Sequence, residues 1–194
     1  MAENNRKTQP VLYSERTILR MPRIEDIPAI LDFYHTNRAY LAPFEPIRPD
    51  EFYTEEFWRK DILQRHEEFN SDRSLRMFIF DKAEPGKVIG SVNFNQIVRG
   101  VFHACYLGYN LAENMQGKGL MTEALTVAID YVFNDLNLHR IMANYMPHNR
   151  RSGNVLKRLG FTIEGYAQNY LYINGRWEDH ILTSLTNHKW VSKI

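Results

Sequence analysis

The chain has 194 residues, with 24 Lys and Arg against 23 Asp and Glu, so its formal net charge at pH 7 is +1. This balance excludes the global basic field of many nucleic-acid-binding proteins and the acidic excess of many disordered chains, so any anion site has to be local. The single Cys105 excludes an intramolecular disulfide and a cysteine metal cluster, and together with a polar N-terminus and no apolar run long enough to span a membrane it favours a soluble, cytoplasmic protein.

No repeat, low-complexity tract or Gly/Ser linker interrupts the chain, so we expect one domain over residues 10–190 and a flexible N-terminus over residues 1–9. In its first part, Asp26 followed by Pro28 is a helix start signal, and Thr54 followed by two glutamates is another. The predicted elements are a strand over 17–21, a helix from 26 to about 35, a proline-punctuated loop over 42–50 and a helix over 54–70.

Three strand-like runs follow and predict an antiparallel meander. They cover Leu75–Asp81, Val88–Gln96 and Val101–Leu111. The third run carries apolar residues on both alternating faces, as expected of a strand in the middle of a sheet that is covered on two sides. Gly108 inside this run predicts a bulge or a close approach of another backbone.

The strongest helical pattern lies after this meander, where apolar residues recur at helical spacing from Met121 to Phe133. Asn174–Gly175 is a typical two-residue hairpin turn, and Gly160 is a typical helix end. The predicted elements are a helix over 119–136, a strand over 140–146, a helix over 150–159 and strands over 161–168 and 177–184. This order predicts an α/β fold with a mixed, mostly antiparallel twisted sheet flanked by helices.

The residues between the third meander strand and this helix indicate an anion site, over Gln116–Met121. Free N–H groups point outward at the first turn of a helix, and Gly117 and Gly119 let a phosphate approach the backbone. Lys118 adds a positive charge. The spacing fits neither a Walker loop, because Gly119 follows the lysine, nor a dinucleotide fingerprint, because Thr122 stands at the third glycine position.

The Gln116 to Met121 segment resembles the signature of the GNAT superfamily of N-acetyltransferases, Gln/Arg-x-x-Gly-x-Gly/Ala, with Met121 in place of the final small residue. The resemblance implies the acyl-CoA N-acyltransferase fold and acetyl-CoA as cosubstrate, without a metal. It implies that the third meander strand splays from its neighbour near Gly108. The cofactor-binding residues that it implies are Tyr109, Leu111, Gln116, Gly117, Lys118, Gly119, Leu120, Met121 and Asn149.

Four longer stretches closely resemble ribosomal-protein-alanine N-acetyltransferases of the RimJ type: GSVNFNQIVRG at 90–100, FHACYLGY at 102–109, QGKGLMTEAL at 116–125 and HRIMANYMPHNRRSG at 139–153. This likeness implies acetylation of the N-terminal alanine of small-subunit ribosomal protein number five, with the small ribosomal subunit as a further candidate partner. DNA and membranes are not expected as partners. Two alternatives stay open, namely an acetyltransferase of a small amine such as a polyamine or amino acid, and a non-catalytic ribosome-binding module. The choice between a monomer and a homodimer also stays open.

Three residues are candidates for the chemistry. Ser152 is the leading candidate for giving a proton to the departing sulfur, although it also stands at the third position of a helix that Asn149 caps. Glu45 lies on a proline-stiffened loop and is a candidate for holding the acceptor ammonium. His103 is a candidate base, with a hydrogen-bonded core histidine as the alternative. Cys105 is expected to be a small buried apolar residue.

Two groups of charged residues have an electrostatic interpretation. Glu123, near a helix start, is expected to be structural. A basic cluster over 148–158 has three alternatives: contact with the 3′-phosphate of the cofactor, contact with ribosomal RNA, or simple solvation of the helix. Its members are His148, Arg150, Arg151, Lys157 and Arg158.

Overall fold

The computed structural model describes residues 7–192, and within them eight strands form one sheet in the order β1-β2-β3-β4-β5-β6-β8-β7. All neighbours pair antiparallel except β5 and β6, which are parallel. The elements are β1 Val11–Tyr13, β2 Thr17–Arg20, α1 Ile27–Leu41, α2 Glu55–Asn70, β3 Leu75–Asp81, β4 Val88–Val98, β5 Ala104–Leu111, α3 Leu120–Asn134, β6 Arg140–Tyr145, α4 Arg150–Arg158, β7 Thr162–Ile173 and β8 Arg176–Thr186.

The predicted mixed, mostly antiparallel sheet is confirmed. The residues expected to be flexible, 1–9, lie mostly outside the part that the structure describes, and the domain limits 10–190 stay a prediction. No helix within residues 7–192 is long and apolar enough to cross a membrane.

Helices cover both faces of the sheet because the strands are apolar on both sides. On one face, α3 and α4 pack against alternate strand residues such as Val92, Phe94 and Leu107. On the other, α1 and α2 pack against Phe78 and Phe80. Cys105 is fully buried in the first of these cores, and burial raises the pKa of its thiol to about 12, which confirms it as a small apolar core residue.

The two predicted helix start residues, Thr54 and Asp26, make different contacts in the structure. Thr54 caps α2 as predicted, because its hydroxyl accepts a hydrogen bond from the Phe57 N–H. Asp26 precedes α1 but makes no cap bond, since its carboxylate binds the Arg20 guanidinium at 2.6 and 2.7 Å and accepts from the Arg23 N–H. The helix that was expected to end near residue 35 continues to Leu41, and β1 was not predicted.

The predicted strand over 101–111 begins later, at Ala104. Val101 and Phe102 are apolar but exposed, and His103 has a φ of +44°, which breaks the extended backbone. The bulge predicted at Gly108 was wrong, because Gly108 pairs regularly with Asn93. The irregularity lies on β4 instead, between Asn95 and Val98.

Strands β5 and β6 separate after three residue pairs. Ala104, Cys105 and Tyr106 pair with β6, and from Leu107 onward the two strands are no longer partners. β6 continues its antiparallel ladder with β8 as far as Tyr145. This confirms the splay expected near Gly108, and the sheet therefore opens into a V between two central strands.

Candidate active site

A cavity of about 990 Å³ lies at this opening of the sheet. Its size is at the upper end of the range for sites that enclose small molecules. Its lining comes from the ends of α1 and β5, the loop after α1, the turn before α3 with the start of that helix, and α4. The predicted residues on its wall are Tyr109, Leu111, Gln116, Gly117, Gly119, Leu120, Met121, Asn149 and Ser152.

The start of α3 has the geometry of an anion-binding turn. Gly117 and Gly119 have φ values of +73° and +80°, which L-residues with a side chain rarely adopt. The backbone N–H groups from Gly117 to Thr122 donate no hydrogen bond to any atom within residues 7–192, and no side chain caps the helix. Several consecutive free donors at the positive end of a helix dipole favour a phosphate.

Met121 stands at the position where the family signature has a small residue. It is 6% exposed and its side chain belongs to the core between α3 and the sheet. The larger side chain is therefore directed inward, and the backbone at the helix start keeps its open side toward the cavity.

Lys118 is placed differently from the other residues of this turn. It is not part of the cavity wall, and its ammonium lies 3.7 Å from the Met115 sulfur. Its carbonyl accepts a hydrogen bond from Arg16, whose guanidinium also pairs with Glu123 at 2.7 Å. The charge expected from Lys118 at this turn is thus not directed into the cavity of this structure.

Glu123 ties the helix start to the N-terminal segment, as expected of a structural residue. Its carboxylate accepts hydrogen bonds from the Ser14 hydroxyl at 2.6 Å and from the Arg16 backbone and guanidinium at 2.6 and 2.8 Å. Burial tends to raise the pKa of Glu123, but these hydrogen bonds outweigh it and hold the pKa below its usual value.

Gln116 is held by Tyr40, which the sequence did not single out, and by Arg151 of the basic cluster. Its amide donates to the Tyr40 hydroxyl, and its carbonyl oxygen accepts from Arg151 at 2.7 Å. These contacts join the end of α1, the segment before α3 and the start of α4 around the cavity. Tyr40 is distant from Gln116 in sequence and belongs to no motif, so no local signal identifies it.

Asn149 and Ser152 lie together at the start of α4. The side-chain oxygen Oδ1 of Asn149 accepts a hydrogen bond from the Ser152 N–H at 3.2 Å, so Asn149 is the cap that its sequence position predicts. The Ser152 hydroxyl lies 2.8 Å from the phenolic oxygen of Tyr109 on β5. Burial raises the pKa of Tyr109 to about 12, partly opposed by the bond to Ser152.

Glu45 contacts β5 through Asn110, on the face opposite to the Tyr109 side chain. Both of its carboxylate oxygens accept hydrogen bonds. One binds the Arg48 guanidinium at 3.1 and 3.2 Å, and the other accepts from the Asn110 amide at 2.8 Å. The side-chain oxygen Oδ1 of Asn110 in turn accepts from the Ser91 hydroxyl at 2.9 Å. Because Asn110 also lines the cavity, these hydrogen bonds connect Glu45 to the site, although Glu45 itself is not on the cavity wall.

His103 is not brought to the cavity. It precedes β5, on the order of 20 Å along the strand from Tyr109 at about 3.4 Å per residue. Its ring packs on Trp190, with ring centroids 5.0 Å apart, and its Nδ1 atom is buried without a hydrogen bond within residues 7–192. This position gives no support to His103 as the base.

The basic cluster divides into two groups. His148, Arg150, Arg151 and Arg158 line the cavity, whereas Lys157 does not. The cavity wall contains one acidic residue, Glu123, and that residue is paired with Arg16. The cavity therefore has a positive surface, which suits a ligand with several phosphates.

Comparison with known proteins agrees with this geometry. The family model described as an acetyltransferase (GNAT) domain matches residues 16–162. The [ribosomal protein uS5]-alanine N-acetyltransferase of Escherichia coli K12 is 45% identical over 179 residues, which cover 92% of this chain and 92% of the relative.

Two solved structures are similar over nearly the whole chain. The ribosomal-protein-S5-alanine acetyltransferase of Vibrio fischeri is 43% identical with a TM-score of 0.90, covering 94% of this chain and 100% of that one. Mycobacterium smegmatis RimJ in complex with CoA-disulfide is 26% identical with a TM-score of 0.85, covering 97% and 91% of the two chains.

Proposed function

Because this chain belongs to the GNAT family of acetyltransferases, we propose that it transfers an acetyl group from acetyl-CoA to the α-amine of the N-terminal alanine of ribosomal protein uS5. The observation that carries this proposal is the open helix start at Gly117–Thr122 beside the splay of β5 and β6. The identity of 45% over 92% of both chains supports the choice of acceptor.

The residues present fit coenzyme A. Free backbone donors and left-handed glycines suit its pyrophosphate, and the arginines at the start of α4 suit further phosphate. The unpaired edge of β5 over Tyr109–Leu111 can accept the pantetheine arm in the manner of an added strand. When bound, acetyl-CoA supplies the thioester that is attacked by the acceptor amine.

The acceptor amine needs little help to lose its proton. The pKa of a peptide α-amine is about 7.7–8.0, against about 10.4 for a lysine side chain. This difference of roughly 2.5 pKa units corresponds to about 3.4 kcal/mol of deprotonation free energy. An N-terminal acceptor is therefore compatible with a site whose only predicted histidine base lies outside the cavity.

Ser152 and Glu45 have different roles in this proposal. The amine nitrogen forms a bond to the thioester carbon, the carbon–sulfur bond breaks, and the sulfur takes a proton from Ser152. Glu45 fixes the acceptor side, since its carboxylate and Asn110 connect the loop after α1 with the end of β5. Asn149 stabilises the helix start that presents Ser152.

The alternative of a polyamine acceptor is less well supported. A polyamine has several positive charges and calls for an acidic acceptor pocket, whereas the carboxylate proposed for the acceptor side, Glu45, is already paired with Arg48. The site therefore suits an acceptor with one ammonium group.

The proposal is tested by steady-state kinetics with acetyl-CoA and matched acceptors. The panel contains a peptide with an N-terminal alanine, the same peptide with its α-amine blocked, peptides with other N-termini, and spermidine. We expect the highest kcat/KM for the free alanine peptide and no turnover of the blocked one. A higher kcat/KM for spermidine would contradict the proposal, and failure to bind acetyl-CoA at all would favour a non-catalytic ribosome-binding module.

A further inference from the structure

The contact between Tyr109 and Ser152 crosses the open part of the site. Tyr109 belongs to β5 beyond the point where β5 leaves β6, and Ser152 belongs to the first turn of α4. Both residues line the cavity. Their oxygen atoms are 2.8 Å apart, which is a typical hydrogen-bond distance for two hydroxyl groups.

The direction of this hydrogen bond decides what Ser152 can do. A serine hydroxyl has one hydrogen, so a serine that donates to Tyr109 has none left for another atom. The Ser152 hydroxyl has no other hydrogen-bond partner in the part of the chain that the structure describes. If Tyr109 donates instead, the hydrogen of Ser152 is free to point into the cavity.

Tyr109 is suited to be the donor. Burial raises the pKa of its phenol to about 12, so the group keeps its proton at neutral pH. The phenol lies 3.2 Å from the Ser152 backbone oxygen and 2.8 Å from its hydroxyl oxygen, and the shorter contact is with the hydroxyl. Tyr145 also stands close to α4, and its ring leaves room only for a glycine at position 153. Tyr109 and Ser152 are therefore held in a tightly packed region.

We propose that Tyr109 is a positioning residue for the acetyl transfer: its phenol donates to the Ser152 oxygen and thereby directs the Ser152 hydroxyl hydrogen at the departing sulfur. This inference rests on the proposed function, in which Ser152 gives its proton to the sulfur as the carbon–sulfur bond breaks. Ser152 recovers through solvent the proton that the amine nitrogen gives up. Tyr109 keeps its own proton throughout, so no proton is gained or lost overall.

A double-mutant cycle separates this role from simple packing. The proteins are the wild type, Tyr109→Phe, Ser152→Ala and the double variant. The measurements are kcat with the alanine peptide, the rate of acetyl-CoA hydrolysis without an acceptor, the Kd of acetyl-CoA by calorimetry, and the midpoint of thermal unfolding. Tyr131→Phe is the matched control, since Tyr131 is a half-buried tyrosine on α3 outside the cavity wall.

We expect Tyr109→Phe to lower kcat about tenfold, which corresponds to about 1.4 kcal/mol, with little change in the Kd of acetyl-CoA. The double variant should be no slower than Ser152→Ala, because Tyr109 acts through Ser152. Tyr131→Phe should behave as the wild type.

Three results would overturn the inference: a Tyr109→Phe enzyme as fast as the wild type, a double variant slowed by the product of the two single effects, or a Ser152→Ala enzyme as fast as the wild type. A loss of acetyl-CoA affinity that accounts for the whole effect of Tyr109→Phe would also overturn it. If the wild type did not acetylate the peptide, the proposed function would fail, and the same cycle measured on acetyl-CoA hydrolysis would still decide the role of Tyr109.

Discussion

At the scale of single residues, the start of α3 depends on two glycines with left-handed backbone. Gly117 and Gly119 shape the turn before α3, and the N–H groups from Gly117 to Thr122 donate no hydrogen bond within residues 7–192. A Cβ atom at Gly117 would meet no atom within 4 Å, and one at Gly119 would meet only the Arg16 guanidinium, at 3.7 Å. The constraint at these positions is therefore the backbone conformation and the space left for a ligand.

We predict that Gly119→Asp raises the Kd of acetyl-CoA, because it places a negative charge beside the proposed phosphate position. The loss should be at least about tenfold, since one unfavourable interaction of about 1.4 kcal/mol has that effect. Calorimetric titration measures it.

Two variants separate charge from backbone strain in this test. Gly119→Asn has a side chain of the same size without the charge, and asparagine tolerates the left-handed region. Gly86→Asp introduces the same strain at a φ of +96° in the turn between β3 and β4, away from the cavity wall. An affinity for Gly119→Asp equal to that of Gly86→Asp would contradict the phosphate assignment.

A second residue-scale prediction concerns the dependence of stability on pH. Because the folded-state pKa of Glu123 is lowered, Glu123 contributes stability above its usual pKa of about 4.3, and this contribution is lost as the pH falls through the folded-state value. Glu123→Gln should therefore lower the free energy of unfolding at pH 7, and the deficit should shrink below about pH 4.

Urea unfolding over a pH series measures this effect. Glu15→Gln is the control, because Glu15 is exposed in the same turn and makes no ion pair within residues 7–192. A deficit for Glu123→Gln that does not change with pH would show that the hydrogen bonds of this carboxylate do not depend on its ionisation.

At the scale of elements, α4 lies unusually close to β6. A Cβ atom at Gly153 would come within 2.7 Å of the Tyr145 ring, closer than real contacts allow. Glycine to alanine inside a helix normally stabilises by about 0.5–1 kcal/mol, so the sign of this substitution depends on whether the helix can move.

We predict that Gly153→Ala destabilises the protein by about 1–3 kcal/mol, as overpacking typically does. It should also lower kcat, because Ser152 is the adjacent residue. Gly165→Ala on β7 is the control, since its Cβ atom would meet only Leu182, at 4.0 Å. If Gly153→Ala were as stable as the wild type in urea unfolding, α4 would not be fixed by this contact.

The basic residues of α4 give a second element-scale prediction. Arg158 lines the cavity and Lys157 does not, although both are exposed residues of the last helical turn. Arg158→Ala should weaken binding of acetyl-CoA, and Lys157→Ala should leave it unchanged. Competition with coenzyme A and with dephospho-coenzyme A identifies the phosphate: if Arg158 contacts the 3′-phosphate, Arg158→Ala should affect only the ligand that carries it. Unchanged affinity in both variants would favour simple solvation of the helix.

The elements differ in how well the sequence predicts them. The apolar spacing in α3 and the turn residues around β3, β7 and β8 are local signals, and these elements were predicted. The start of β5 was not, since Val101 and Phe102 are apolar yet exposed, and an apolar pattern does not report which residues a neighbour covers. β1 is three residues long and has no local pattern of its own.

The features of the site also differ in how well the sequence predicts them. The glycine turn, the Asn149 cap and the presence of Ser152 follow from short motifs, whereas the partners of these residues do not. Tyr40 binds Gln116, and Tyr109 binds Ser152, across long separations in the chain. Such contacts depend on the order of the strands and on the place where β5 leaves β6, which a single sequence does not specify.

At the scale of the whole molecule, the opening between β5 and β6 can be reached from two sides of the sheet. The cavity lies on the side of α3 and α4, and the hydrogen bond between Glu45 and Asn110 lies at the opposite face of β5. Asn110 belongs to both. This arrangement allows a cosubstrate with several phosphates and an acceptor with one positive charge to reach the same point from different sides, without mixing their electrostatic requirements.

Mass spectrometry of full-length ribosomal protein uS5 after incubation with this protein and acetyl-CoA tests the central claim most directly. Fragmentation locates each added acetyl group, and spermidine in the same mixture provides a competing acceptor. We predict one added acetyl group on the α-amine of the N-terminal alanine, and none on uS5 whose α-amine has been blocked beforehand. Acetylation of lysine side chains or of spermidine, with the alanine amine left free, would contradict the account.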